Sequence, residues 1–297
     1  MDQERGREAE SPWQVSARGW MDILKRAWKT GAERNLSLVA GGVAYYVLLA
    51  LFPAMAALIS IYGLVANPTD AIKHAHALSR MLPASAVTSI GSELRQITAA
   101  SDKSLGLGAV IGFFIAVWSA LRGMSGMISA LNIAYGQPER RSFFRLNIIG
   151  ALLTLVVVFG GVSALSLIVV LPIVLHQVGI SGAMRWIGLT VEWPLLVLFF
   201  VGLIALIYRY GPDRDVPKWK WASPGVIAAT ILWMSGSGLF SLYVDKFASY
   251  DKTYGALGAL LVLLIWLWLS AFVVLLGAEI NGEAERQTRR KTSVADV

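Results

Sequence analysis

The chain has 297 residues, of which 56% are hydrophobic and 15% charged, and its net charge is +7. Soluble domains carry about 25% charged residues, so this composition excludes an ordinary soluble protein and indicates a helical membrane protein. The absence of cysteine excludes disulfides, thiolate catalysis and cysteine metal sites.

The N-terminal segment, residues 1–34, holds several acidic residues and lacks the apolar core that a cleavable signal peptide requires. A helix is nevertheless expected in its second half, because apolar and small residues recur there at helical spacing. This face comprises Trp20, Ile23, Leu24, Ala27, Trp28 and Gly31. Lysines and arginines sit mostly on the other faces, which predicts an interfacial helix on the inner leaflet.

Six apolar stretches follow, each long enough to cross a hydrocarbon core of about 30 Å. They cover about 36–65, 104–134, 146–175, 186–208, 221–244 and 255–278. Pro53 predicts a kink in the first span, and Gly108 with Gly112 gives the second a small-residue face for close helix packing. The sequence therefore predicts an all-α integral membrane protein with six transmembrane helices, whose membrane domain is residues 35–281. Three further structural residues lie at span ends: Gly211 and Pro212 after the fourth, and Gly255 at the start of the sixth.

The distribution of lysine and arginine predicts the orientation. Eighteen of them lie in the two terminal segments and in the links after the second and fourth spans, against seven in the other links. The positive-inside rule then places both termini in the cytoplasm. Residues 282–297 are polar and charged, and we expect them to form a disordered cytoplasmic tail.

The longest link, residues 67–103, is predicted to lie on the outer side. Val87, Ile90, Leu94 and Ile97 fall on one helical face, so an amphipathic helical segment is expected, divided near Pro83. The sequence leaves two positions open for it: flat on the outer surface, or as a cap over an opening between spans.

Arg122 is the most informative polar residue, because charges within a span are rare and usually face a bundle interior or a wet cavity. We place it near the inner end of the second span, on the same side as Glu279. The two are predicted to pair or to line a cytoplasmic cavity jointly; the alternative is that Arg122 snorkels to the headgroups. Tyr45 and Tyr46 lie deep enough in the first span to line a cavity.

Several other patterns do not require a binding site to explain them. His74 and His76 lack further ligands nearby, so neither a metal site nor a cofactor is expected. The run from Lys218 to Trp221 alternates cations with aromatics, but its position before a span indicates a membrane-interface anchor and no nucleic-acid partner. No phosphate-binding loop, dinucleotide fingerprint or hydrolase motif is present.

Blocks of residues distributed along the chain resemble the YihY/BrkB family of bacterial inner-membrane proteins. The resemblance covers about residues 20–285, and its blocks include Asn35-Leu-Ser-Leu-Val-Ala-Gly-Gly-Val-Ala-Tyr-Tyr46, Leu131-Asn-Ile-Ala-Tyr-Gly-Gln-Pro-Glu-Arg140, Tyr208-Arg-Tyr-Gly-Pro212, Phe240-Ser-Leu-Tyr243 and Tyr250-Asp-Lys-Thr-Tyr-Gly255. The resemblance implies a multi-pass protein without a settled activity and supplies no catalytic residues. It draws attention to recurrent polar positions: Asn132, Tyr135, Glu139, Arg140, Tyr208, Tyr250, Tyr254, Glu279 and Asn281.

Two functions remain open from the sequence. The first is a transporter or flippase-like protein for an amphiphilic or lipid-linked envelope molecule, motivated by the kinked span, Arg122 and the glycine-rich helices. The alternative is a non-catalytic membrane scaffold for envelope partners. An enzyme is not expected, and the ribonuclease label applied to some family members finds no matching histidine and carboxylate set here. The lipid bilayer is the expected partner, and the sequence leaves open whether the chain forms a homo-oligomer.

Overall fold

The computed structural model describes residues 12–65, 102–177, 183–214, 219–247 and 256–289. These ranges contain seven α-helices, one 3₁₀ turn (Pro12–Gln14) and no strand, which confirms the all-helical fold. The helices are α1 (Ala17–Glu33), α2 (Leu36–Val65), α3 (Asp102–Tyr135), α4 (Phe143–Gln177), α5 (Ala183–Tyr210), α6 (Trp219–Phe247) and α7 (Ala256–Arg289).

Each of the six predicted spans is occupied by one of the helices α2 to α7. Five described stretches are long and apolar enough to cross a membrane: Leu36–Pro53, Val110–Tyr135, Phe143–Ala164, Pro224–Val244 and Leu260–Gln287. The apolar stretch of α5, Pro194–Tyr210, is shorter. The count of six spans therefore stays a prediction, as does the kink at Pro53, through which α2 continues.

The chain divides into two compact units, which are described separately. The main unit comprises residues 1–45 and 124–297, and the middle unit comprises residues 46–123. The core of the main unit forms where the start of α2 and the ends of α3 and α5 pack with α6 and α7. Its fully or nearly fully buried side chains include Leu36, Leu131, Tyr208, Val226 and Leu275.

Helix α1 is present where the N-terminal pattern predicts it. The Ser16 hydroxyl caps its first turn by accepting a hydrogen bond from the Gly19 amide at 3.2 Å. Ile23 and Ala27 are buried, and they pack with residues of α7. Leu24 and Trp28, from the same predicted face, are 48% and 64% exposed. Only part of that face is covered by protein, and its location at the membrane interface stays a prediction.

The C-terminal segment differs from the prediction. Residues 282–289, expected to be disordered, continue α7 as far as Arg289. The reason is burial: Ala284 is fully covered, and Glu283 and Glu285 are buried and ion-paired. A polar composition alone predicted disorder, but here the polar groups have partners.

Other predictions lie outside the described residues. They include the outer amphipathic segment almost entirely, the histidine pair, and the candidate residues Tyr250, Tyr254 and Gly255. Gly108 and Gly112 lie within α3, and their packing role stays a prediction.

Candidate functional site

The predicted polar residues of the main unit collect at one of its ends, where α3 turns into α4 and α5 leads toward α6. The turn after α3 depends on Gly136, whose φ of +64° favours glycine. A Cβ at this position would lie 2.6 Å from Nη2 of Arg34 and 3.0 Å from Nη2 of Arg286. The turn therefore brings backbone close against two guanidinium groups.

Glu279 is the centre of this end of the unit, and its side chain is fully buried. Nη1 of Arg34 lies 2.9 Å from both carboxylate oxygens and also donates to the Ala134 carbonyl at 2.7 Å. Nη1 of Arg286 lies 3.8 Å from the same carboxylate. A buried carboxylate needs such partners, because an unpaired charge there would cost several kcal/mol. Glu279 is thus part of a closed ion cluster.

A second set of ion pairs fastens α1 to α7. Nε of Arg26 donates to the Glu283 carboxylate at 3.1 Å, and its Nη2 donates to the Gln287 side chain. Arg286 also pairs with Glu283, three residues earlier on α7. Together with the apolar contacts of Ile23, these pairs hold the N-terminal helix against the C-terminal one.

Close backbone approach between α6 and α7 supports the cluster. The side-chain Oδ1 of Asn281 accepts from the Gly225 backbone amide at 2.7 Å, and its Nδ2 donates to the Tyr135 hydroxyl at 3.2 Å. The Tyr208 hydroxyl donates to the Val274 carbonyl. A Cβ on Gly277 would lie 2.5 Å from that hydroxyl, so the contact requires glycine. Asn281 therefore joins three helices.

Arg214, which follows α5, contacts Glu285 and the two tyrosines Tyr135 and Tyr208. Nη1 donates to Glu285 at 2.7 Å, and Nη2 donates to the Tyr208 carbonyl at 2.7 Å. Its guanidinium carbon lies 4.1 Å from the centre of the Tyr135 ring, a cation–π distance. The segment after α5 is thereby tied to α7 and to the end of α3.

The turn after α3 is bound to the turn after α5. The Asn132 side chain donates to Glu139 at 2.8 Å and accepts from the Asp213 amide at 2.8 Å. Arg141 donates to Glu139 and, at 2.8 Å, to the Gly211 carbonyl. The hydrogen bonds from Arg141 hold the pKa of the Glu139 carboxyl below its usual value, and the same bonds raise the pKa of Arg141.

The middle unit contains a separate feature, a cleft of about 190 Å³ between α2 and α3. We call it the Arg122 cleft. It is lined by Tyr46, Leu49, Trp118, Ser119 and Arg122. The guanidinium carbon of Arg122 lies 5.6 Å from the centre of the Trp118 ring. Arg122 lies within the apolar stretch Val110–Tyr135, and its placement near the inner boundary of the membrane stays a prediction.

The candidate residues thus fall into two groups. Glu279, Asn281 and Asn132 lie in the network of the main unit, and Tyr46 with Arg122 lies in the cleft. Tyr45 is 54% exposed. Pairing of Arg122 with Glu279 stays a prediction, and Glu279 already has two guanidinium partners.

The role of Arg34 was missed. It was counted only as part of the positive N-terminal segment, but it is the cation that compensates Glu279. One signal was available: a carboxylate at the cytoplasmic end of a span requires a cation at the same depth, and Arg34 is the last charge before the first span. Similarly, the sequence predicts only a span end at Gly211 and a recurrent polar position at Tyr208. The amide of Gly211 does close α5, by donating to the Ile207 carbonyl at 2.8 Å, but Tyr208 is also fully buried.

Within the described residues, no group of three or more histidines, aspartates or glutamates is placed to hold a metal ion.

Long apolar helices with a polar network at one end define a multi-pass α-helical membrane protein. The chain belongs to the BrkB virulence factor family, whose model matches residues 27–296, which confirms the predicted family. It is 32% identical over 265 residues to YfkH of Bacillus subtilis, whose name describes it as ribonuclease-like; the match covers 88% of this chain and 94% of that one. It is 30% identical over 277 residues to a UPF0761 membrane protein of Vibrio parahaemolyticus, covering 89% and 81%. No solved structure matches the chain.

Proposed function

We propose that this protein is a transporter or flippase-like protein for an amphiphilic or lipid-linked molecule of the cell envelope. One observation carries the proposal: in the Arg122 cleft a cation lies beside exposed aromatic and aliphatic groups, within a long apolar helix. An amphiphile has the complementary arrangement, with a polar head group joined to an apolar tail.

The charge of Arg122 needs a partner that its own helices do not provide. The sequences of α2 and α3 contain one acidic residue, Asp102, which is 20 positions away along α3. At about 1.5 Å per residue this is about 30 Å of helix. Charged residues at membrane depth are expensive and generally functional, so the position of Arg122 supports a role in moving an anionic or zwitterionic substrate.

The test is reconstitution of the full chain into liposomes containing fluorescently labelled lipids. A membrane-impermeant reductant destroys only the outer-leaflet label, so protein-dependent movement increases the fraction of label that is lost. We expect such an increase with the wild type and its loss in Arg122→Gln. Arg145→Gln is the matched control, since Arg145 is an exposed arginine at the beginning of α4. If no lipid or lipid-linked sugar moves, with or without a proton gradient, the transport proposal is wrong.

The alternative function, a non-catalytic scaffold for envelope partners, is favoured by the network of the main unit. There Glu279 is enclosed by arginines with no exposed surface of its own. An end of the unit that is held together by ion pairs and hydrogen bonds suits a rigid docking surface. Chemical cross-linking in intact cells followed by mass spectrometry tests it: a scaffold should give the same partners in the wild type and in Arg122→Gln.

We propose an inner-membrane location with both termini in the cytoplasm. The supporting observation is that α1, the turns after α3 and α5, and the end of α7 contact one another at one end of the main unit. These are segments that the positive-inside count assigned to a common side. Sidedness reporters fused to each terminus test this; one terminus found outside the cytoplasm would contradict it.

A further inference from the structure

We infer that the Arg122 cleft selects amphiphiles with a small head group whose net charge is one negative charge, located on a phosphodiester. This inference rests on the proposed function, because it names the substrate class of the same cleft. It separates simple anionic phospholipids from carriers that hold a glycan through a pyrophosphate.

The first argument is charge balance. Besides Arg122, the sequences of α2 and α3 contain one other cation, Lys103, which is 19 positions away, about 28 Å along the helix. The cleft therefore provides compensation for one negative charge. A phosphodiester brings one charge, whereas a pyrophosphate brings more than one guanidinium neutralises, and the excess would be buried without a partner.

The second argument concerns hydrogen-bond donors. A guanidinium has five N–H groups in a fixed fork that matches the oxygens of a phosphate. Ser119 lies three residues before Arg122 on α3, lines the same cleft and is buried. Residues three apart are neighbours on a helix surface, so a hydroxyl stands next to the guanidinium. Together they offer a donor to each unesterified oxygen of a phosphodiester.

The third argument concerns the tail. Phe114, Trp118 and Arg122 follow one another at steps of four residues, so they lie along one face of α3. Phe114 and Trp118 are 66% and 60% exposed. A head group bound at Arg122 thus has an aromatic surface beside it along which an acyl chain can lie.

The size of the cleft gives the fourth argument. Its volume of about 190 Å³ is below the range of about 300–1,000 Å³ found for sites that enclose drug-sized molecules. A phosphate with a small substituent suits this space better than a head group extended by sugars.

The experiment measures binding separately from transport. The full chain in detergent is titrated with short-chain phosphatidylglycerol, which carries one negative charge, and binding is followed by native mass spectrometry. Parallel titrations use zwitterionic phosphatidylcholine, a polyprenyl pyrophosphate, a short-chain fatty acid and inorganic phosphate. We expect the wild type to prefer phosphatidylglycerol over all four. Replacing Arg122 by Gln should weaken that binding by roughly ten- to a hundredfold, the usual loss for a hydrogen bond to a charged group.

The controls keep the inference testable. Arg145→Gln should bind like the wild type, and Arg122→Lys, which keeps the charge but not the fork, should retain part of the affinity. The lipid preference is measured on the wild type alone, so this part of the test does not depend on whether a variant folds. Equal binding by phosphatidylcholine or inorganic phosphate, tighter binding of the pyrophosphate or fatty acid, or unchanged affinity in Arg122→Gln would each overturn the inference.

The two proposals fail in different ways. Selective binding of phosphatidylglycerol without movement across the liposome bilayer supports the inference and contradicts the transport function. Movement of lipid without head-group selectivity at Arg122 overturns the inference and leaves transport standing.

Discussion

Replacing Gly225 by alanine tests whether the contact between α6 and α7 is as close as the structure has it. A Cβ on Gly225 would overlap the Gly277 carbonyl oxygen and lie 2.5 Å from Cγ of Asn281. Both neighbours are confined: the first is backbone and the second is a buried side chain with hydrogen-bond partners. The helices must therefore move apart.

The cost follows from two contributions. Overpacking of a tight contact typically costs about 1–3 kcal/mol. Separation of the helices also lengthens the 2.7 Å hydrogen bond from the Gly225 amide to Asn281, a loss of about 1 kcal/mol. We expect the free energy of unfolding to fall by about 2–4 kcal/mol, measured by denaturant titration in bicelles with tryptophan fluorescence.

The matched control is Gly238→Ala on the same helix, where an added Cβ meets nothing within 4 Å. Alanine is the better helix former by about 1 kcal/mol in soluble hosts, so this change should be neutral or stabilising. Equal stability of the two variants would refute the packing argument, because both make the same chemical change in one helix.

Two further predictions concern the charges of the network. Glu279→Gln should lower the free energy of unfolding by about 1–3 kcal/mol, because it removes the carboxylate that pairs with the partly buried Arg34 guanidinium. Glu33→Gln, at an exposed pair of 3.9 Å, should change it by less than about 0.5 kcal/mol. Similar values in the same denaturant titration would contradict the burial argument. The pKa of Glu139 is lowered, so its bonds to Arg141 stabilise the fold above the usual carboxyl pKa, and this contribution is lost as the pH falls through the lowered value. Melting temperatures measured from pH 7 to pH 3 should accordingly separate the wild type from Glu139→Gln at neutral pH and converge in acid; a constant difference would show that the pair does not titrate.

The helices of this protein could be predicted from the sequence because apolar run length is a local property. The first span was predicted at 36–65, and α2 covers Leu36–Val65. The end of α7 could not be predicted in the same way. Whether residues 282–289 form a helix depends on Arg26 and Arg214, which bind their glutamates from distant parts of the chain.

Part of the candidate site was also predictable. Glu279 and Asn281 stood out as polar residues at the end of an apolar span, and both are fully buried. No sequence pattern marks their partners, because α1 and α6 are far from α7 in the sequence and contact it only in the folded protein. The contact of Gly225 with Gly277 has no local signal either, since each glycine alone resembles the many others in the sequence.

The two sites differ in how their charge is compensated, and this difference bears on whether Arg122 merely snorkels. In the main unit, Arg26, Arg34 and Arg214 each bind a glutamate of α7. Arg122 lies about 18 Å from one end of its apolar stretch and about 20 Å from the other. Snorkelling suits cations near helix ends, where a flexible side chain reaches the headgroups. If Arg122 lies inside the hydrocarbon, its guanidinium instead requires an anion or water brought into the membrane. Under the proposed function, a lipid head group in the cleft would supply that anion, so that the bound lipid, rather than the reach of the side chain, would compensate the charge.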